Sequence, residues 1–446
     1  MTALRIAAEE LIAVHRKMLA VAPAESAAFF ATEPSGPDLV VRGVEVFGPE
    51  HMDDSGGGVQ LDERVQQEAL ARIKRSGHTL VEAHTHPGSG ERVRFSTYDH
   101  EQLPAFARYV QLKMPGRGYG AVVFGRRGYE GLIWTKSCSR PLELEPVGEF
   151  ASVPAWLRGE NSSDAVDVRY DRQVRALGVD GQRRIHGLRV AVVGLGGTGS
   201  LVVQQLAHLG VRNFILIDDD RVEPSNLPRL AGAHWLDGRR HRKKSRVATR
   251  SIRRLTPAAV IRRFGGLRST EALNGIRDAD VIIGCVDNDG ARLVMTELAS
   301  AHLVPYLDIG VGVEPLGSNV AFGGRVAFYL PGGPCLACAD ELDFDEVAED
   351  LESEAQHKIR IARGYARDRA IEPALMPLNT VCVGLAMTEL LAFATGMRRV
   401  EPFSRYDGAR TSLTRGRVEL NPECPVCRPA HGMGDRQAIE RYALPA

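Results

Sequence analysis

His84-Thr85-His86-Pro87, followed by Ser96-Thr97-Tyr98-Asp99 with nine residues between His86 and Ser96, is the sharpest chemical feature of the N-terminal half. Alternate residues at a strand end face one side, so both imidazoles reach one metal. Asp99 adds a carboxylate and leaves a fourth position for water, the construction of a catalytic zinc site. Such a site lowers the pKa of its water toward neutrality and needs a general base, for which Glu25 in Pro23-Ala24-Glu25-Ser26 is the candidate. The plainer alternative is that two strand histidines only pack or face solvent.

A second constellation begins at Gly194-Leu195-Gly196-Gly197-Thr198-Gly199, after the apolar run Val190–Val193. Such a loop, opening a helix, brings backbone N–H groups close to phosphates. Alone it fits an NAD-binding domain equally well. The next thirty residues separate the two. Asp218, about twenty residues on, is placed to hold ribose hydroxyls. Then comes Asp220-Arg221-Val222-Glu223-Pro224-Ser225-Asn226-Leu227-Pro228-Arg229. A dehydrogenase has no use for that Asn and Arg; an enzyme that adenylates a carboxylate does, because it neutralises a triphosphate and an incoming anion together. Third, Cys335-Leu336-Ala337-Cys338 and Cys424-Pro425-Val426-Cys427 offer four thiolates in two tight pairs, the usual spacing of tetrahedral structural zinc. A redox Cys-x-x-Cys is the competing reading.

The first set resembles the JAB/MPN (JAMM) metalloprotease family over roughly residues 1–137. The resemblance implies His84, His86 and Asp99 as zinc ligands, Glu25 as acid/base and Ser96 as a stabiliser of the oxyanion. The second set is similar to the ThiF/MoeB/ubiquitin-activating superfamily over residues 167 to about 430. That resemblance implies ATP and magnesium, with the C-terminal carboxylate of a ubiquitin-like or sulfur-carrier protein attacking the α-phosphorus. Gly194, Gly196, Gly197, Gly199, Asp218, Asp220 and Asn226 would form the nucleotide site. Arg229 and Lys244 would lie on the phosphates, and Asp287 (Cys285-Val286-Asp287-Asn288) would hold magnesium. Gly284 stands where the family usually has an acid. Arg172 matches an arginine supplied across a two-fold interface, so a homodimer is implied. The four cysteines match the superfamily's structural zinc. The position of the usual thioester cysteine is Arg369, and Cys382 lies in an apolar helical run, so an acyl-adenylate without a stable thioester is expected. The usual partner ends in a flexible Gly-Gly tail. Two other readings stay open: an N-terminal domain that only docks a ubiquitin-like fold, and adenylation of a short peptide in natural-product synthesis.

The elements that must position these groups are read from pattern. At 446 residues, two or three domains are expected. The amphipathic segment Met1–Pro23 reads as a helix, followed by strands Ser26–Ala31, Leu39–Phe47, Thr79–Ala83, Gly120–Phe124 and Tyr129–Trp134, with a helix near Asp62–Arg75. The chain then turns irregular. Beyond it, Leu188–Val193, Phe214–Ile217, Val281–Cys285 and Val304–Asp308 alternate with helices such as Leu201–Leu209, implying a parallel, doubly wound sheet. Asp343–Asp368 reads as a charged helical excursion or crossover. The expected organisation is a JAB/MPN-like (cytidine-deaminase-like) α/β domain at 1–138, a linker at 139–166, and at 167–446 a Rossmann-like mixed sheet of the ThiF type. Lys plus Arg equals Asp plus Glu at 56 each, which gives no reason to expect nucleic acid or an anionic membrane as partner. No run of about 18 apolar residues stands out. Arg5, Glu9, Glu10, Arg16 and Lys17 break any export-signal core in Met1–Pro23, so a cytoplasmic address is expected, and seven cysteines, an odd number, argue against a disulfide framework.

Overall fold

The computed structural model describes all residues except 1, 54–59, 136–137, 159–164, 317–318, 353–358, 360–372 and 444–446. Arg369 and most of the 343–368 excursion therefore lie outside the described residues; what is described of the latter begins with a helix, Phe344–Leu351.

The N-terminal unit is a closed seven-stranded barrel with three helices packed on it. In chain order its main elements are β1 (Thr2–Ala7), α1 (Ala8–Leu19), β2 (Ala27–Ser35), β3 (Asp38–Phe47), the short hairpin β4 (Met52–Asp53) and β5 (Gln60–Leu61), and α2 (Glu63–Ser76). They continue with β6 (Thr79–Thr85), α3 (Thr97–Lys113), β7 (Tyr119–Phe124), β8 (Tyr129–Thr135) and β9 (Cys138–Val147). The barrel order is β1-β3-β2-β6-β7-β8-β9. This corrects two expectations from local pattern. Thr2–Ala7 is not helical: its residues pair in parallel with Leu142–Val147, and Leu4 and Arg5 pair with β3. Residues 139–147, expected as the start of the linker, belong to β9, the strand that closes the barrel. Both stretches become strands through partners about 140 residues away, which local periodicity does not report.

Side-chain alternation along β6 sorts the two cores. Val81 and Ala83 pack with Leu11, Val14 and Met18 of α1. Glu82 and His84 take the alternate positions, on the side where α2 and α3 pack through Ile73, Leu103 and Ala107.

The second unit is an eight-stranded mixed sheet, order β12-β11-β10-β13-β14-β15-β16-β17. Its elements are α4 (Asp171–Gly187), β10 (Arg189–Val193), α5 (Gly197–Leu209), β11 (Asn213–Ile217), α6 (Trp235–Arg239), α7 (Lys244–Leu255) and β12 (Val260–Phe264). Then come α8 (Thr270–Ile276), β13 (Val281–Gly284), α9 (Asp289–His302), β14 (Tyr306–Leu316), β15 (Asn319–Tyr329), α10 (Phe344–Leu351), α11 (Met376–Thr395), β16 (Phe403–Asp407) and β17 (Ser412–Arg415). The five strands from β12 to β14 run parallel, and β15 to β17 add an antiparallel extension that makes the sheet mixed. Helix α11 is apolar enough by composition to cross a membrane, with mean hydropathy 1.5, but most of it is buried against the sheet.

The two units share a packed interface. Arg5 donates to the carbonyls of His302 (3.2 Å) and Arg277 (3.3 Å), and the Ser35 hydroxyl meets His302 Nδ1 at 2.8 Å. Glu33, fully buried in the barrel, binds Arg436 at 2.8 Å and His78 more closely still. The Arg184 guanidinium lies 3.5 Å above the Phe150 ring.

Candidate functional site

At the C-terminal edge of the parallel strands the glycine loop takes a shape that only glycine permits. Gly194 has φ +82°, and a Cβ there would lie 2.6 Å from the Cys285 carbonyl oxygen. A Cβ on Gly199 would collide with the Gly194 carbonyl. Gly196, the N-cap of α5, has nothing within 4 Å of its Cβ position, so the helix N-terminus is open to an anion.

Asp218, at the end of β11, accepts from Leu195 N–H (2.6 Å) and Asp220 N–H (2.9 Å). Burial raises its carboxyl pKa, against the pull of Lys244. It thus ties the glycine loop to the next strand, using one lone-pair site on each oxygen. Lys244 opens α7 and pairs with Asp220 at 2.7 Å. Asn226, expected among the nucleotide ligands, accepts at its side-chain oxygen from Glu223 N–H (3.2 Å) and so caps the short turn Pro224–Asn226. Its side chain shapes the turn that delivers Arg229, whose aliphatic carbons lie 3.5 Å from the Cβ position of Gly197. Asp287 is exposed in the bend after β13, beside Asn288, which caps α9. Arg172 is not brought to this edge: its neighbour Gln173 donates to the His208 carbonyl at the far end of α5, about 18 Å of helix from the glycine loop.

Sequence reasoning missed two contributors. Asn379, buried in the first turn of α11, brings its amide nitrogen to 2.6 Å from the Gly197 Cβ position. Asp308, fully buried, accepts from Tyr306 OH (2.8 Å) and Arg325 (3.3 Å) and lies 3.5 Å from Arg292. Arg292 in turn donates to the Val286 carbonyl at 2.9 Å, holding the backbone beside Asp287. A charged residue within the apolar run Val304–Ile309 was the available signal for Asp308. Burial pushes the Cys285 thiol far up and the Cys382 thiol to about 11, so neither is poised as a nucleophile.

In the barrel, β6 and the residue after it present His84 and His86, and Asp99 sits in the first turn of α3. The candidate ligand atoms of the three lie within 4.8 Å of one another. His84 Nε2 is 3.4 Å from Asp99 Oδ1, and His86 Nε2 is 3.5 Å from Asp99 Oδ2. Tetrahedral zinc with bonds of about 2.1 Å puts neighbouring ligands about 3.4 Å apart, so the donor set fits. Among the described residues, His84 Nε2 moreover has no hydrogen-bond partner, although it is buried. Burial opposes the Asp99 charge, but His84 and Ser96 outweigh it and hold the carboxyl well below the usual range. Ser96, expected to stabilise an oxyanion, donates its hydroxyl to Asp99 Oδ2 (2.7 Å) and accepts from Asp99 N–H (3.1 Å), so it caps α3 and orients the carboxylate. Glu25 faces the cluster. Burial raises its pKa while His86 and His84 draw it down. Glu82, two residues before His84 and unnoticed in the sequence, is pushed by burial to about 7.

The four cysteines converge as spaced. Sγ separations are 3.8 Å for Cys335–Cys338, 3.7 Å for Cys335–Cys424 and 3.8 Å for Cys338–Cys427. A tetrahedron with bonds of about 2.3 Å has edges of about 3.8 Å, so this set also fits zinc.

The chain matches the ThiF family over residues 170–426, more than half its length. Ubiquitin-like modifier-activating enzyme 5 of Arabidopsis thaliana is 25% identical over 287 residues, 59% of this chain and 62% of that protein. SAMP-activating enzyme E1 of Haloferax volcanii is 27% identical over 285 residues, 63% of this chain and 94% of that protein. The match therefore spans less than two thirds of the plant enzyme. Among solved structures, E. coli MccB with MccA-N7isoASN aligns at 20% identity over 59% of this chain and 75% of that chain, with a TM-score of only 0.48.

Proposed function

The chain belongs to the ThiF family, and from that premise we propose that it adenylates the C-terminal carboxylate of a ubiquitin-like or sulfur-carrier protein, with the barrel acting as a JAB/MPN-like zinc isopeptidase that trims or releases the same protein. The observation that carries the reading is convergence at one sheet edge. An open helix N-terminus at Gly196, Arg229 across Gly197, the Lys244–Asp220 pair and exposed Asp287 lie where a doubly wound sheet binds nucleotides.

In this reading the carboxylate oxygen attacks the α-phosphorus of ATP and pyrophosphate leaves. Arg229 and Lys244 neutralise phosphate oxygens, Asp287 carries magnesium, and catalysis is largely positioning and charge compensation. Lys244 exchanges Asp220 for phosphate as the nucleotide enters. Arg172 cannot serve its own site from the far end of α5, which supports an active site completed across a homodimer. The Cys335, Cys338, Cys424 and Cys427 set would hold a structural zinc that fastens the C-terminal segment to the sheet.

In the barrel, His84, His86 and Asp99 would hold a zinc that supplies, when bound, an activated water and an electrophile for an amide carbonyl. Ser96 fixes the Asp99 carboxylate, and Glu25, with its pKa raised by burial, is suited to hold a proton and pass it to the leaving amine. A carrier with a Gly-Gly tail, exposed by the barrel and activated by the sheet, would join the two chemistries, and a cytoplasmic setting would suit the four thiol ligands. The test is ATP–pyrophosphate exchange dependent on an added carrier ending in Gly-Gly. Binding of a nicotinamide dinucleotide in place of ATP overturns the reading.

A further inference from the structure

An open cavity of about 530 Å³ on the barrel is lined by none of the residues assigned above to adenylation or to zinc. Ile12, His15, Arg16 and Leu19 line it from one face of α1, and Arg126, Arg127 and Trp156 complete it. Its floor is apolar. The His15 and Trp156 rings lie 4.7 Å apart, and His15 donates from Nε2 to the Gly125 carbonyl at 2.9 Å. Burial lowers the His15 pKa, which keeps the ring neutral near pH 7. Its rim is cationic. Among the described residues, no carboxylate pairs with Arg16, Arg126 or Arg127, and Arg126 reaches only the Pro87 carbonyl, at 3.1 Å.

Three guanidiniums on two separate elements around an aliphatic and aromatic floor complement a peptide bearing several spaced carboxylates and an apolar side chain. A phosphate-rich ligand fits less well, because the cavity runs along the C-terminal half of α1 to its end at Leu19 and Ala20, where backbone carbonyls carry partial negative charge. Both walls lead to the metal cluster. Arg126 and Arg127 donate backbone N–H groups to the carbonyls of Ser89 (3.1 Å) and Gly90 (3.3 Å), in the loop after His86. The chain leaving α1 runs within a few residues to Glu25.

We propose that this cavity is a recognition pocket for an acidic segment, carrying a leucine-like side chain, of the protein whose scissile bond enters the His84–His86–Asp99 centre. The choice of occupant rests on the isopeptidase reading; the cavity and its charge do not.

The test uses the full chain and three fluorescein-labelled probes: a five-residue peptide alternating glutamate and leucine, its glutamine counterpart, and a five-nucleotide single-stranded DNA. The glutamate peptide binds best, weakens as salt rises, and exceeds the glutamine peptide by about tenfold. Arg16→Glu with Arg127→Glu lowers its affinity by about tenfold or more and leaves carrier-dependent ATP–pyrophosphate exchange unchanged, with a circular dichroism spectrum and Tm like the native chain's showing that the barrel is folded. The milder pair Arg16→Gln and Arg127→Gln weakens it in the same direction. Equal binding of the two peptides, tighter binding of the DNA, or no loss in either double variant overturns the proposal. His84→Ala separates the two readings. If it binds the acidic peptide normally while neither it nor the native chain holds zinc at that site or cleaves a carrier extension, the isopeptidase reading falls and the pocket stands. If the native chain cleaves but ignores the acidic peptide, the pocket falls alone.

Discussion

Replacing Gly194 and Gly196 one at a time by alanine separates the glycine that shapes the loop from the glycine that admits the ligand. At Gly194 the new Cβ meets the Cys285 carbonyl oxygen at 2.6 Å, about 0.8 Å inside the 3.4 Å where ordinary contact begins. The residue also sits at φ +82°, which costs a non-glycine residue about 1–2 kcal/mol. Backbone atoms cannot swing aside as a side chain end can, so β10 or the bend after β13 must move, adding about 1–3 kcal/mol of overpacking. A combined cost of about 2–5 kcal/mol lowers Tm by about 5–15 °C for a domain of this size. A shift approaching 1 Å under the phosphates slows carrier-dependent ATP–pyrophosphate exchange by about a hundredfold. Gly196 presents the opposite case. Nothing lies within 4 Å of its Cβ position and its φ of −75° suits alanine, so the Tm of Gly196→Ala stays within about 1 °C of native. Its Cβ occupies the space proposed for phosphate, and the KM for ATP rises severalfold. Differential scanning calorimetry and exchange kinetics on the two variants decide the matter. A native Tm in Gly194→Ala, or an unaltered KM in Gly196→Ala, refutes the reasoning from which it came.

Burial, with Arg5 and Arg277 nearby, lowers the pKa of His302 from 6.5 to about 4. The unfolded chain therefore binds its proton more readily, and the stability it withholds, about 3 kcal/mol, is present above pH 6.5 and lost as pH falls toward 4; urea titrations across that window show the slope, and His302→Gln flattens it. Metal analysis finds two zinc ions per native chain and one in His84→Ala, while Cys335→Ser loses the other and unfolds at lower temperature. Arg172→Ala and Lys244→Ala are each inactive in exchange assays, yet mixing them restores up to about a quarter of native activity, because half of random dimers hold one intact composite site; no recovery refutes the shared site. Incubation with ATP and carrier gives no thiol-sensitive adduct on a non-reducing gel, since Cys382 is fully buried with its thiol raised to about 11.

The local geometries were legible in the sequence because short spacings encode them. The Gly194–Gly199 loop, Asp218 at the end of its strand and the two Cys-x-x-Cys turns each span a few residues whose types permit few backbone shapes. The His84–His86 alternation is likewise a property of any strand, and Asp99 needed only a helix start nearby. Other features arose from partners far along the chain. Thr2–Ala7 left its helical pattern for a strand because residues 142–147 offered a ladder, and those same residues ceased to be linker for the same reason. Ser96 became the clamp of Asp99 once α3 began at Thr97, and Asn226 turned inward to cap its own turn. Asn379 reached Gly197 only through the packing of α11 over α5, across a sequence separation that no motif spans. The separation of Arg172 from the glycine loop is the clearest division of labour. Its residue type advertised a phosphate contact, while packing set its neighbour Gln173 at the other end of α5 from the glycine loop.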